Sequence, residues 1–185
     1  MIPFRRDRDG DDVLLTLPEH ERALLMDLTR QVVQMLEHGD AADPAMVRLL
    51  PSAYPDDDEA AAEFRRFTAD DLTGRKIANA QVVLATLAAP SADATEGATS
   101  DDATTPRRRG SRSKGPRADE RRLDTAAQQA WLRSLTDLRL TLGTRLGITD
   151  EGLPSEAESH LQAMHAVFDW LGYLQESLLQ TLTRR

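Results

Sequence analysis

The chain of 185 residues contains no cysteine. This absence excludes disulfides, thiolate metal sites, a cysteine nucleophile and a thiol switch within these residues. Aromatic residues make up only 4% of the sequence, whereas leucine and alanine are abundant, and this composition favours packed helices over a strand-rich sandwich. Hydrophobic residues make up 40% of the chain, which is enough to form a core.

Long hydrophobic runs are also missing. No apolar run approaches the roughly 18 residues that a membrane span needs. The first residues show neither the basic region nor the apolar region of a secretory signal. The sequence therefore predicts a cytoplasmic protein that does not contact a membrane.

The spacing motifs of common catalytic and metal sites are absent as well. The four histidines occur in neither HExxH nor Glu-x-x-His, and no phosphate loop, GxSxG or GxGxxG is present. Glu156 and His160 are four residues apart, but an ordinary surface pair is the favoured interpretation. The acidic run at 56–59 fits a helix N-terminus better than a metal site. We therefore predict a protein that is not an enzyme and binds no metal or cofactor.

Net positive charge is confined to one segment. The net charge is -8, distributed as -7 over residues 1–89, +2 over 90–122 and -3 over 123–185. The six basic residues of PRRRGSRSKGPR are Arg107, Arg108, Arg109, Arg112, Lys114 and Arg117. This cluster would contact nucleic acid or an acidic protein surface, or it is a solvated tether. Without interleaved aromatic residues, any DNA contact would be salt-sensitive and nearly blind to sequence.

The basic cluster belongs to a segment with no hydrophobic periodicity. Small, polar, glycine and proline residues fill 90–118, which predicts a long disordered linker. It separates an N-terminal hairpin and helices over 1–89 from a C-terminal helical hairpin over 119–185. We expect the two parts to pack as one domain, giving a mainly α-helical compact bundle.

The N-terminal part begins with a turn at Asp9-Gly10, which predicts a short β-hairpin. Leucine spacing then predicts a helix that starts at Pro18 and stops at Gly39. Asp43 caps a short helix through Leu50.

Two further helices are predicted before the linker. The first runs from the acidic residues to Phe67. The second starts at Thr68 in capping-box form and continues to Pro90.

Two helices are also predicted after the linker. Thr125-x-x-Gln128 opens the first, and Gly147 closes it. Ser155-x-x-Glu158 opens the second, so that a short connector gives an antiparallel helical hairpin.

The segment DLRLTLGTRLG lies on the first of these two helices. At 100° per residue, one apolar stripe forms along it: Trp131, Leu135, Leu138, Leu142 and Leu146. Arg139 and Arg145 border the stripe on opposite sides, where a guanidinium meets carboxylates or carbonyls. We therefore select these two arginines as structural or interface candidates.

The final helix carries a matching seam with alternating spacings of three and four residues: Leu161, Met164, Phe168, Leu171, Gln175, Leu178 and Leu182. Its single polar member, Gln175, is a candidate for setting helix register. Trp170 and Tyr173 lie on the opposite side. They either pack against the N-terminal helices, which is favoured, or form a partner surface.

A family resemblance is carried by three blocks: AAAEFRRFTADDL, WLRSLTDLRLTLGTRLGI and FDWLGYLQESLL. These blocks resemble an actinobacterial family that has long been known only as a domain of unknown function. The family is associated with actinomycete oxidative-stress regulators. The resemblance implies a cytoplasmic helical protein encoded near Clp adaptor and cysteine-biosynthesis genes. It also implies transcription regulation together with an extracytoplasmic-function sigma factor as protein partner. Family members described as redox sensors use an N-terminal cysteine pair. Because this chain has none, either a partner senses redox state or this homologue is constitutive.

A non-enzymatic regulatory protein that works through protein contacts is therefore the leading hypothesis. An accessory or adaptor-like factor for Clp proteolysis is the alternative, and the implied gene neighbourhood is its basis.

Overall fold

A computed structural model describes residues 2–8, 10–51, 58–89, 120–148 and 159–183. At positions 58, 60–70 and 159–161 it describes the backbone alone. The predicted linker, with its basic cluster, lies outside the described residues, as does Ser155-x-x-Glu158.

A small antiparallel sheet joins the first residues of the chain to residues 120–123. Strands β1 (Phe4–Arg6) and β2 (Val13–Thr16) form the predicted hairpin. A third strand, β3 (Glu120–Leu123), pairs with the free edge of β2 in the order β1-β2-β3. The sequence does not predict β3, because the charged segment ERRL shows no strand periodicity.

The two faces of the sheet differ. Phe4, Val13 and Leu123 are buried in the core. On the other face, Arg5 Nη2 donates to both carboxylate oxygens of buried Glu120, at 2.9 and 2.8 Å. This ion pair links residues that are 115 positions apart in the sequence.

Helices α1 (Glu19–His38) and α2 (Pro44–Leu49) come after the β1–β2 hairpin, and their bounds agree closely with the prediction. Pro18 is the N-cap of α1, and Gly39 is its C-cap. The side chain of Asp43 caps α2 by accepting a hydrogen bond from the Ala45 amide at 2.8 Å.

Helix α3 spans Asp58–Ala88 without interruption. The prediction of two helices that meet at Thr68 is wrong. No proline interrupts the backbone hydrogen-bond ladder there, and the residues that resemble a capping box are also tolerated inside a helix.

Helices α4 (Thr125–Arg145) and α5 (Ser159–Thr183) form the last third of the fold. The N-cap of α4 is Asp124, not Thr125. At its other end, Gly147 adopts φ 68°, and the Ile148 amide donates to the Gly143 carbonyl at 2.9 Å. This is a Schellman motif, for which glycine is suited by its access to positive φ.

The core is built around α4, which packs against α1, α2, α3, α5 and β3. Most of the predicted stripe on α4 is buried, and Trp131 is completely so. Its ring meets Phe4 edge-on, with centroids 5.9 Å apart. Leu171 and Leu178 of the α5 seam are buried, together with Leu174, so the buried face of α5 is wider than the predicted seam.

Candidate functional site

An apolar groove runs between α1 and α5, which both pack on α4. Its volume is about 470 Å³. The floor is formed by four residues of α4: Leu138, Thr141, Leu142 and Arg145. Aliphatic side chains supply most of both walls, including Leu28 and Met35 from α1 and Met164 and Val167 from α5.

The mouth of the groove also exposes apolar surface. Leu24 of α1 is 38% exposed, and Ala163 on the α5 wall is exposed as well. The polar residues on the α1 wall, Asp27 and Gln31, hydrogen-bond each other at 2.7 Å. A segment that entered the groove would therefore meet aliphatic surface and a polar pair whose hydrogen bond is already made.

Arg145 is the last residue of the α4 floor of this groove. Its Nη2 lies 2.5 Å from Asp43 Oδ2, which connects the end of α4 to the start of α2. The Ala45 amide, and then Arg145, lower the pKa of the Asp43 carboxyl by hydrogen bonding to its charged form. The Arg145 side chain remains 47% exposed. Its carboxylate partner thus comes from the same chain.

Arg139 lies on a different face of α4, against α5. Its Nη1 donates to Gln175 Oε1 at 2.8 Å, and its guanidinium carbon is 5.0 Å from the centre of the Phe168 ring. The guanidinium lies over Gly172, where a β-carbon would be 3.6 Å from the guanidinium carbon, an ordinary van der Waals contact. Arg139 therefore binds an amide and an aromatic face between two helices.

Gln175 links α4 and α5 through both ends of its amide. Its oxygen accepts from Arg139, and its Nε2 donates to Thr136 Oγ1 at 2.8 Å. These two bonds supply a physical basis for the register role predicted for Gln175.

The aromatic candidates on α5 are Trp170 and Tyr173. Trp170 is half-buried and packs against the core. Tyr173 is 50% exposed and lines a shallow pocket together with Arg5 and Arg6 of β1. Of the four interface candidates, only Arg145 lines the apolar groove.

Sequence reasoning missed the buried ion pair between Lys76 of α3 and Asp137 of α4. Lys76 Nζ is 2.6 Å from Asp137 Oδ1, and the two side chains are only 16% and 8% exposed. Burial raises the pKa of the Asp137 carboxyl, while Lys76 opposes that shift. A signal was present, since Lys76 occupies a position in the apolar periodicity of α3.

The described residues contain no group of three or more side chains arranged to hold a metal ion. None of the helices in this part of the chain combines the length and apolarity needed to cross a bilayer.

A family model described as "Domain of unknown function (DUF2017)" matches residues 1–182. No curated protein matches the chain, and no solved structure matches it.

Proposed function

The chain belongs to the DUF2017 family, and from that premise we propose that it is a regulatory protein that acts by binding another protein. The apolar groove between α1, α4 and α5 is the observation that supports this proposal. Covering a groove of this lining with apolar surface lowers the free energy by roughly 25 cal/mol per Å² of buried area.

An amphipathic helix is the occupant that suits the groove. Two helices form the walls and a third forms the floor, so a fourth helix would complete a four-helix arrangement. Aliphatic residues at positions i, i+3, i+4 and i+7 of the partner would face the groove. The bonded pair Asp27–Gln31 on the wall could be covered without losing its hydrogen bond.

The identity of the partner rests on resemblance alone. The blocks similar to actinomycete oxidative-stress regulators support an extracytoplasmic-function sigma factor. In this proposal, the protein regulates transcription of thiol-producing genes during oxidative stress. The basic cluster at 107–117 would add a salt-sensitive contact with DNA near the bound sigma factor.

The direct test compares two substitutions on α5. Ala163 lines the groove, whereas Ala166 is exposed on α5 and does not line it. Ala163→Glu places a carboxylate in an apolar site that the partner would have to cover, so it should weaken binding of the purified sigma factor at least about tenfold. Ala166→Glu adds the same charge and should leave binding unchanged.

Calorimetric titration measures both affinities, and thermal melts establish that both variants are folded. Failure of the sigma factor to bind, or equal binding by both variants, would overturn the proposal. Binding of a purified Clp adaptor that is weakened only by Ala163→Glu would instead support the proteolysis alternative.

A further inference from the structure

A second cavity opens between α3 and α4, away from the apolar groove. Its volume is about 580 Å³, and its lining is much more polar than that of the groove. Arg75 and Asn79 line it from α3, and Arg133 and Thr136 line it from α4. The groove uses other residues of α4, so the two sites are on different faces of that helix.

The Lys76–Asp137 ion pair forms the inner part of this α3–α4 cleft. An ammonium group has three N–H donors, and the hydrogen bond of Lys76 to Asp137 Oδ1 uses one of them. The pair contributes one positive and one negative charge, which cancel. The cations at the rim of the cleft therefore determine the net charge of the cleft.

Those rim cations are Arg75 and Arg133, which are both exposed. Within the described part of the chain, neither of them forms an ion pair, although Asp71 lies one helical turn before Arg75. The cleft therefore combines three cationic side chains with one carboxylate. A phosphate monoester carries a charge of about -1.5 to -2 at neutral pH. The net positive charge of the cleft complements that charge.

We propose that the α3–α4 cleft binds the phosphate group of a small molecule, with Arg75 and Arg133 as its principal ligands. A guanidinium donates two parallel N–H bonds to a phosphate, and two arginines on facing helices supply four such donors. Asn79 and Thr136 add polar groups to the same lining.

The size of the cleft and its apolar edge favour an organic phosphate. A volume of about 580 Å³ lies in the ordinary range for small-molecule sites, and it exceeds what a bare phosphate ion fills. Leu72 lines the cleft and is 38% exposed, so an organic moiety attached to the phosphate would have an apolar surface to contact.

The experiment titrates the full chain with inorganic phosphate, glucose 6-phosphate or adenosine 5′-monophosphate, and follows backbone amides by heteronuclear NMR. Amides of residues 72–79 and 133–137 should shift. Arg75→Met and Arg133→Met should each weaken binding at least about tenfold. Arg30→Met removes an exposed arginine of α1 that does not line the cleft, so it should leave binding unchanged.

The probes also separate the two sources of phosphate. Tighter binding of either ester would assign the site to an organic phosphate, whereas equal affinities would assign it to the free ion. Absence of saturable binding by all three probes, or equal weakening by Arg30→Met, would overturn the proposal. Sigma-factor binding is measured separately through Ala163, so failure of one proposal leaves the other unaffected.

Discussion

Arg139 illustrates what a single arginine contributes at a helix margin. It bonds Gln175 and stacks on Phe168, so its guanidinium is an internal connector between α4 and α5. The sequence placed it beside the leucine stripe, but only the packed helices supplied these partners.

Replacing Arg139 should destabilise the fold. Arg139→Met removes a hydrogen bond and a cation–π contact, and we expect the free energy of unfolding to fall by about 1–2 kcal/mol. Arg139→Lys should recover part of this loss, because lysine keeps the charge without the planar fork. Urea unfolding measures the change, with exposed Arg30→Met as the control. Equal stability of Arg139→Met and Arg30→Met would contradict this role.

Asp137 gives a pH-dependent prediction. Burial raises its pKa from the ordinary value of 3.8, so the folded protein holds this proton to higher pH than the unfolded chain. The contribution of Asp137 to the free energy of unfolding therefore falls as pH rises from 3.8 through the raised value, and is constant above it.

Asp137→Asn should lack that dependence. Its free energy of unfolding, relative to wild type, should increase across this pH interval, since the amide does not titrate. Urea titrations at several pH values between about 3 and 7 measure the difference, and other titrating groups cancel in the comparison. Parallel stability curves for the two proteins would show that Asp137 has the same pKa in both states.

Among the elements, α3 shows how far a helix extends when nothing stops it. Its 31 residues include Gly74 near the middle, where a β-carbon would meet nothing within 4 Å. Gly74→Ala should therefore stabilise the protein by about 0.5–1 kcal/mol, because alanine has less backbone freedom to lose. Chemical denaturation tests this, and a loss of stability would show that the site requires glycine.

The basic cluster of the linker is the second element with a testable property. If the cluster contacts nucleic acid, glutamine at five of its positions should weaken DNA binding at all sequences and flatten the salt dependence: Arg107, Arg108, Arg109, Arg112 and Lys114. Fluorescence anisotropy with two unrelated duplexes, each at several salt concentrations, measures both effects. Unchanged binding would assign the cluster to the role of a tether.

For the whole molecule, β3 is the feature that couples distant parts of the chain. It pairs with β2 and places Leu123 in the core with no exposed surface. Because Leu123→Ala would leave a cavity there, it should reduce the free energy of unfolding by about 2–5 kcal/mol.

The same variant tests whether the described elements unfold together. Tryptophan fluorescence, which reports on Trp131 and Trp170 together, and far-ultraviolet circular dichroism should give coincident transitions in both wild type and Leu123→Ala. Separate transitions would show that the described elements do not unfold as one unit.

The sequence by itself determined the helical class and most helix ends. The leucine spacing of α4 and α5, the cap at Asp43 and the stop at Gly147 depend on residues within a few positions of each other. Such local patterns can be recognised without knowing the fold. A local capping pattern also misled at Thr68, where the helix simply continues.

Only the tertiary structure decided which surfaces meet. Strand β3 exists through its pairing with a strand about 100 residues earlier, and Lys76 and Asp137 become partners because α3 packs on α4. The apolar groove and the α3–α4 cleft likewise need several helices at once. Periodicity identifies the apolar face of one helix. It does not specify which neighbour covers that face, or where a gap remains because no neighbour covers it.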